Sequence, residues 1–275
     1  MDWQLKAPPW VKTEAAIENT FFPVISELMD RANLHPDDRV LDIGCGPCKT
    51  VMLAAEQVGL NGVVTGVDIA RPIVEQARTR TSNLRQVNII EGDAQSYVFP
   101  DKCYDAVLSS FEMMYFNDPD EAFANILRAT KPSGRLTFVA WSDRRHNPWL
   151  ARSTRTAGKS ARKRPSPHPN RPGPLAFVDR RKTAKRLRNA GWIDISIEEV
   201  GLHLTPPGTS ADVSKLRKVM SLNDVVNKHA KCEAEADVMA KTYRTKFARE
   251  LREFDTPNGI RVPARVNFFS ARRPA

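Results

Sequence analysis

The sequence predicts an α/β fold with a doubly wound, mostly parallel sheet of seven strands. Short apolar runs of strand length alternate with segments of helical period through the first half of the chain, and this alternation is typical of right-handed βαβ units. The 275 residues are 41% hydrophobic and 27% charged, which is ordinary for a globular protein. A chain of this length buries a sizeable core without disulfides or a structural metal.

Helices and strands alternate in a regular order before residue 142. Apolar residues from Ile17 to Leu28 recur three and four positions apart, which predicts a helix over 13–33. Pro119 opens a later helix, and the Pro-Ser-Gly turn at 132–134 predicts where that helix stops. The other elements predicted here are helices ending near 58 and covering 72–81, and strands over 39–43, 62–68, 86–91, 104–109 and 135–141.

The composition changes after residue 150. Residues 151–174 contain almost no large apolar side chains, and five of the ten residues 165–174 are proline, which predicts a long exposed loop. Order is predicted to resume with a helix from Asp179, which Gly191 ends as a C-terminal cap. The remaining elements predicted are a strand over 192–197, two helices between 210 and 253, and a last strand over 262–269.

The formal net charge of +10 comes from one short part of the chain. Residues 1–150 have a net charge of −5, residues 151–188 have +12, and residues 189–275 have +3. A basic protein of this kind suggests a nucleic-acid partner. The confinement of the charge to 151–188 instead indicates a basic insertion in an otherwise ordinary domain, and its Arg162-Lys163-Arg164 cluster has no interleaved aromatic residues to stack bases.

Several protein classes are disfavoured by composition. No apolar run reaches the length of a membrane span, and the first residues lack the layout of a secretion signal. The four cysteines, Cys45, Cys48, Cys103 and Cys232, are too few for a disulfide scaffold in a chain of this length. We therefore expect a cytoplasmic protein with no membrane partner and no metal site.

The densest motif is the turn after the first strand, Ile43-Gly44-Cys45-Gly46-Pro47-Cys48-Lys49. Its Cys-Gly-Pro-Cys-Lys portion resembles the active site of thioredoxins, where a thiolate at a helix N-terminus attacks disulfides. That resemblance covers five residues, and Gly44 stands where thioredoxins usually have an aromatic residue. A dinucleotide-dependent dehydrogenase is also disfavoured, because Lys49 occupies the third glycine position of its G-x-G-x-x-G turn.

A second resemblance covers far more of the chain. Val40-Leu41-Asp42-Ile43-Gly44-Cys45-Gly46 is similar to the first motif of class I S-adenosylmethionine (SAM)-dependent methyltransferases. Glycines after the first strand let the backbone approach a nucleoside ligand, and the following helix N-terminus attracts a carboxylate, which in this family belongs to the methionyl group of SAM. The resemblance implies a cofactor site that includes Asp42, Gly44, Cys45 and Gly46.

Acids at the next strand ends extend this resemblance. Asp68 follows the second strand, where an acid of the family accepts both ribose hydroxyls, and Ile69 beside it is placed to pack on adenine. Asp93, after the third strand, is placed to accept from the adenine amino group, with Ala94 next to it. The resemblance also implies a cofactor contact for Ser109, in a fourth strand that looks like a later motif of the family.

The branch most similar to this chain acts on small molecules and includes ubiquinone and menaquinone C-methyltransferases. The resemblance reaches nearly all of 1–275, in pieces such as Asn147-Pro148-Trp149 and Ala190-Gly191-Trp192. Members often carry a third glycine where this chain has Cys48. If that position needs a positive φ, a cysteine there costs about 1 kcal/mol or more; with helical φ it is harmless.

Few residues are candidates for the chemistry. Methyl transfer requires alignment of donor and acceptor, and an oxygen or carbon acceptor usually also loses a proton to a base. His146 follows the fifth strand at the edge where ligands bind in open α/β sheets, while Glu112 and Tyr115 follow the fourth. Each also has a purely structural interpretation, as does His203 after the sixth strand. Trp3, Trp10 and Phe21 are candidates for a lid over the cofactor.

The sequence thus predicts a single SAM-dependent methyltransferase domain that acts on a small organic acceptor through its oxygen, nitrogen or carbon atom. Two alternatives stay open: a nucleic-acid methyltransferase or RNA binder using 151–188, and a protein of this fold that transfers no methyl group. The predicted parts are a helical N-terminal lid at 1–34, a SAM-binding core at 35–141, a basic proline-rich insertion at 142–175, and a C-terminal half at 176–275 with the last two strands and cap helices.

Overall fold

A computed structural model describes residues 3–150, 171–217 and 232–275. It contains a seven-stranded sheet in the order β3-β2-β1-β4-β5-β9-β6, with a separate two-stranded hairpin. The strands from β3 to β5 pair in parallel, and β9 pairs antiparallel with both β5 and β6. The predicted seven-stranded, mostly parallel, Rossmann-like α/β sheet is therefore confirmed.

The N-terminal half of the sheet follows the predicted order closely. Two helices precede it, and each of the first four strands leads into a helix, a short helical turn or a loop at its carboxyl end. The bounds are α1 Trp3–Lys12, α2 Glu14–Ala32, β1 Arg39–Ile43, α3 Lys49–Val58, β2 Val63–Asp68, α4 Arg71–Arg80, β3 Val87–Glu91, β4 Tyr104–Ser110, α5 Pro119–Ala129 and β5 Thr130–Trp141.

The C-terminal half completes the sheet with two long strands. The bounds are α6 Arg180–Asn189, β6 Ile193–Leu204, α7 Ser210–Arg217, α8 Glu233–Leu251, β7 Asp255–Thr256, β8 Gly259–Ile260 and β9 Val262–Arg272. Both β6 and β9 extend past their predicted ends because they pair with each other from Ile193 opposite Arg272 to Leu204 opposite Val262. In the described part of the chain, no helix is long and apolar enough to cross a membrane.

One predicted boundary is wrong. We expected the helix from Pro119 to end between 131 and 134, but α5 ends at Ala129 and β5 begins at once. Lys131 precedes a proline, and a residue in that position is disfavoured in helical conformation. The Pro-Ser-Gly turn lies inside β5 and interrupts its pairing with β4. Tyr104 lies opposite Thr130, but Ala106, two residues later, lies opposite Arg135.

Aromatic residues fill the core on the side of the sheet that α5 and α6 cover. Phe138 of β5 stacks on Phe269 of β9 with ring centroids 4.4 Å apart. Trp192 is 1% exposed, and its indole nitrogen donates to the carbonyl oxygen of Phe123 in α5 at 3.1 Å. A buried indole is usually paired in this way, since leaving the N–H group unpartnered would cost free energy. This packing fixes the antiparallel end of the sheet.

Candidate active site

A cavity of about 320 Å³ opens at the carboxyl edge of β1, β2 and β4. This edge is where open α/β sheets bind their ligands, because the loops that leave the strands converge there. The cavity volume lies in the range of about 300–1,000 Å³ typical of small-molecule sites. Its lining includes seven of the nine residues predicted to contact a cofactor: Gly44, Cys45, Gly46, Asp68, Ile69, Asp93 and Ala94.

The glycine turn after β1 is held against β2 by its own backbone. The amides of Gly44 and Cys45 both donate to the carbonyl oxygen of Val67, at 2.8 and 3.0 Å. Gly44 and Gly46 have φ values of +66° and +53°, a conformation that side chains disfavour. A Cβ atom at Gly44 would lie 2.3 Å from Cβ and Cγ of Glu112, whereas one at Gly46 would meet nothing within 4 Å. The turn therefore leaves open space beside Gly46 for a ligand.

Cys48 also has a positive φ, at +77°, where it caps the N-terminus of α3. The position thus has the conformation in which relatives often carry glycine, and the thiol side chain is fully buried. An L-residue in the left-handed region costs roughly 1–2 kcal/mol. Of the two conformations considered for this position, a strained positive φ and a harmless helical φ, the structure has the strained one.

We expect Cys48→Gly to be more stable to unfolding than Cys48→Ala by about 1 kcal/mol. Both variants lose the buried thiol, and they differ only in the Cβ atom that the left-handed backbone disfavours. Urea denaturation of the two purified proteins measures the difference. An alanine variant at least as stable as the glycine variant would show that this turn relaxes without cost.

The environment of the two thiols argues against the thioredoxin interpretation. Cys45 and Cys48 are both buried and unbridged. The hydrogen bond with Cys48 and burial raise the pKa of the Cys45 thiol well above its usual value. A redox-active cysteine needs a lowered pKa and access to solvent. These cysteines are small buried side chains that shape the turn.

Asp68 ends β2 beside the glycine turn. Its Oδ2 accepts from the Gly46 amide at 3.1 Å, and its Oδ1 accepts from the Ala70 amide at 2.9 Å. The Ile69 amide also hydrogen-bonds to this carboxylate, which keeps further acceptor capacity. Burial raises the pKa of Asp68. The next residue, Ile69, keeps 44% of its surface exposed at the cavity rim.

Asp93 and Ala94 form the part of the wall that follows β3. Oδ1 of Asp93 accepts from the Gln95 amide at 2.9 Å, which closes a short turn and orients the carboxylate. Ala94 is buried, and its carbonyl oxygen accepts from Asn125 of α5 at 3.0 Å. The acids after β2 and β3 thus face one cavity, as their positions at strand ends predict.

Asp42 and Ser109 lie behind the cavity, and this corrects two predicted contacts. Asp42 is fully buried and accepts a hydrogen bond from Thr50 Oγ1, while its Oδ1 has no partner in the described part of the chain. Burial raises the pKa of Asp42 to about 7. Ser109 donates to the carbonyl oxygen of Ile43 at 2.9 Å, so it joins β4 to β1; the next residue, Ser110, lines the cavity instead. Side chains alternate across a strand, and a shift of one position moves the contact.

Two of the three catalytic candidates reach the cavity. Glu112 and Tyr115 follow β4 and line it, and Phe111 before them has a φ of +62°, which turns the chain back over the glycine turn. His146 does not line the cavity. It is exposed in a short helical turn after β5, so it is corrected to a surface residue, and His203 in β6 is exposed as well.

An aromatic wall that the sequence did not reveal forms the other side of the cavity. Phe111 stacks on Trp141 with centroids 4.7 Å apart, and Phe21 lies edge-on to Trp141 and Trp149 at 6.0 and 6.1 Å. These four residues come from α2, the loop after β4, the end of β5 and the segment after it. Only Phe21 was predicted to lie here, because proximity between separate elements leaves no periodic signal in the sequence.

The N-terminal helices cover the cavity from above. Arg80 of α4 forms an ion pair with Glu18 of α2 and also donates to the carbonyl oxygen of Pro47 at 2.6 Å. Gln4 of α1 donates to the carbonyl oxygen of Ile69 at 2.8 Å. These bonds fasten the predicted lid to the glycine turn and to α4. The side chains of Trp3 and Trp10 and the basic segment 151–170 lie outside the described residues.

Comparison with protein-family models assigns part of this site. Residues 40–134, from β1 to the start of β5, match a family described as a methyltransferase domain. The match covers about a third of the chain, and over these residues the chain is similar to a methyltransferase domain. This segment contains the glycine turn, the acids after β2 and β3, and the loop that carries Glu112, so the predicted family resemblance is confirmed over them.

Two curated methyltransferases resemble part of this chain. The aklanonic acid methyltransferase DauC of Streptomyces sp. strain C5 is 34% identical over 122 residues, which cover 44% of this chain and 56% of that protein. The demethylmenaquinone methyltransferase of Staphylococcus epidermidis is 29% identical over 115 residues, which cover 42% of this chain and 48% of that protein. The chain spans about half the length of the curated relatives it matches.

A solved structure shows the same fold over the whole chain. The phosphoethanolamine N-methyltransferase 2 of Haemonchus contortus, solved in complex with S-adenosyl-L-methionine, aligns with a TM-score of 0.59 at 18% identity. The alignment covers 100% of this chain and 60% of that one. At this identity the match establishes the fold alone.

Proposed function

We propose that this protein transfers a methyl group from S-adenosylmethionine to a small organic acceptor in the cytoplasm. The observation that carries the proposal is the convergence of the glycine turn and the acids after β2 and β3 on one cavity. The named methyltransferases among its relatives and the SAM complex among its structural neighbours support it. We also propose that residues 1–275 act as one domain, with 1–34 as lid, 35–141 as cofactor core, 142–175 as insertion and 176–275 as C-terminal cap.

The residues around the glycine turn fit SAM. The open space beside Gly46 lies near the N-terminus of α3, which favours a carboxylate such as that of the methionyl group. Asp68 has acceptor positions for two ribose hydroxyls, and the exposed face of Ile69 offers apolar surface to an adenine ring. Asp93 and Ala94 would border the adenine amino group.

When bound, SAM supplies an activated methyl group, so the protein has to position the acceptor and exclude water. The aromatic wall suits an apolar or aromatic acceptor, because Phe111, Trp141 and Trp149 offer flat apolar surface to the cavity. Tyr115 and Glu112 line the same cavity. An acceptor hydroxyl placed there would meet both groups, and a carboxylate is able to hold its proton.

Calorimetric titration with SAM, followed by incubation with isotopically labelled SAM and a metabolite extract, tests this proposal. We expect binding at or below millimolar SAM, formation of S-adenosylhomocysteine, and label in a small organic product. No binding at millimolar SAM would contradict the proposal. Intact SAM in the presence of the converted substrate would favour a protein of this fold that transfers no methyl group.

The nucleic-acid alternative makes a different prediction. Its support is the +12 charge of residues 151–188. It requires an RNA affinity that falls steeply with salt, since phosphate contacts release counterions, and that is lost when 151–172 is deleted. The alternative has no support from the cavity, whose lining is aromatic and acidic on the sides described above.

A further inference from the structure

The carboxyl group of Glu112 lies in the cavity without a positively charged neighbour in the described part of the chain. Its side chain crosses the glycine turn so closely that a Cβ atom at Gly44 would lie 3.3 Å from its carboxyl carbon. Within the described residues it has no hydrogen bond and no ion pair, and the groups that act on it are Asp68, Asp42 and its own burial. A carboxylate in such a place is unfavourable unless it binds a proton or a cation.

The basic side chains described around the cavity do not neutralise the carboxyl group of Glu112. Lys49 of α3 directs its ammonium to the Phe22 ring, 5.6 Å from the centroid, and Arg80 is held by Glu18 and the Pro47 carbonyl. The remaining titratable groups that line the cavity are acidic or neutral side chains: Glu18, Cys45, Asp68, Asp93 and Tyr115. Among the described residues, the groups beside Glu112 are therefore mostly acidic.

We propose that Glu112 recognises the positive charge of the ligand, and that it gives up a bound proton to solvent as that charge enters the cavity. This inference rests on the proposed function, because the methionyl end of SAM has a sulfonium and an ammonium group and lies along the glycine turn in that proposal. Glu112 packs against this turn. Among the described carboxyl groups that line the cavity, it is the one without a hydrogen-bond or ion-pair partner. Its role is specificity for a charged ligand over a neutral one.

The sign of the pH dependence follows from the environment of Glu112. Burial, Asp68 and Asp42 raise the pKa of Glu112 well above its ordinary value, which favours the protonated form when no cation is nearby. A cation stabilises the ionised form and lowers that pKa again. Binding must then release protons, and SAM affinity must increase with pH by up to about tenfold per pH unit while one proton is exchanged.

Calorimetry of SAM binding at one pH in two buffers of different ionisation enthalpy counts the protons released. We expect the wild type to release on the order of one proton at mildly acidic pH and Glu112→Gln to release fewer, because glutamine copies the protonated shape and does not titrate. Glu56→Gln is the matched control, since Glu56 is exposed on α3 away from the cavity and its substitution makes the same change in net charge. This control should release as many protons as the wild type.

A parallel titration with S-adenosylhomocysteine identifies the charge. If Glu112 faces the sulfonium, Glu112→Gln weakens SAM binding more than S-adenosylhomocysteine binding; if it faces the ammonium, both weaken alike. Equal proton release and equal affinity for wild type and Glu112→Gln would overturn the inference while leaving the proposed function intact. A wild-type affinity for SAM that is constant from pH 5.5 to 8 would overturn it without any variant. A wild type that does not bind SAM overturns both.

Discussion

Gly44→Ala is expected to lower the free energy of unfolding by about 3 kcal/mol and to abolish SAM binding at the concentrations that saturate the wild type. The backbone φ of +66° contributes roughly 1–2 kcal/mol of this loss, because an L-residue is strained there. The new Cβ would also lie 2.3 Å from two carbon atoms of Glu112, and overpacking of this kind typically costs about 1–3 kcal/mol. Urea denaturation and calorimetric titration measure the two effects.

Gly46→Ala is the matched control for Gly44→Ala. Gly46 has a similar φ of +53°, but a Cβ atom there meets no protein atom within 4 Å. It should lose only the strain of about 1–2 kcal/mol. That Cβ would occupy the space proposed for the ligand. We therefore expect the loss in the free energy of SAM binding to exceed the loss in the free energy of unfolding. Equal destabilisation by both alanines would mean that Glu112 moves aside freely and that the close contact has no energetic consequence.

Asp68→Ala is expected to weaken SAM binding by about 1–3 kcal/mol, which corresponds to a loss of affinity on the order of 5- to 150-fold. The variant removes the proposed acceptor for the ribose hydroxyls and also the group that accepts from the Gly46 and Ala70 amides. Asp68→Asn keeps the side-chain shape, yet one of its two polar atoms donates rather than accepts. Its affinity should fall between those of the wild type and the alanine variant.

Asp237→Ala provides the comparison for charge alone. Asp237 is exposed on α8, and its removal changes the net charge by the same amount without touching the cavity. It should bind SAM as the wild type does. If Asp68→Ala also bound SAM with unchanged affinity while remaining folded by thermal unfolding, the ribose contact would be placed on the wrong residue.

The sequence predicts the parts of this site that depend on position along a strand. Asp68 and Asp93 follow strands whose ends are marked by composition, and parallel strands bring their carboxyl ends to one edge. The sequence does not predict which of two adjacent side chains faces the cavity: Ser110 does, whereas Ser109 bonds to the Ile43 carbonyl. The sequence fails again for His146, which follows β5 at the correct edge but lies in a short turn that faces solvent.

Contacts between distant segments were also beyond the reach of the sequence. Phe111, Trp141 and Trp149 form one aromatic wall only because a left-handed residue after β4 turns the chain toward the end of β5. Likewise, the continuation of β5 back to Thr130 depends on pairing with Tyr104, which no local propensity encodes. Local patterns thus account for the part of the cavity formed by the strand ends, and tertiary packing for the aromatic wall.

The guanidinium group of Arg80 connects three segments of the chain: α4, α2 and the glycine turn. It binds Glu18 in α2, belongs to α4, and donates to the Pro47 carbonyl in the glycine turn. Displacement of α2 away from α4 breaks the ion pair with Glu18, whereas the hydrogen bond to Pro47 joins Arg80 to the glycine turn and does not involve α2. Because this arginine is largely shielded from solvent, dissolved salt screens the link less than it would on an open surface. The contact between α2 and α4 on this side of the cavity therefore depends on charge.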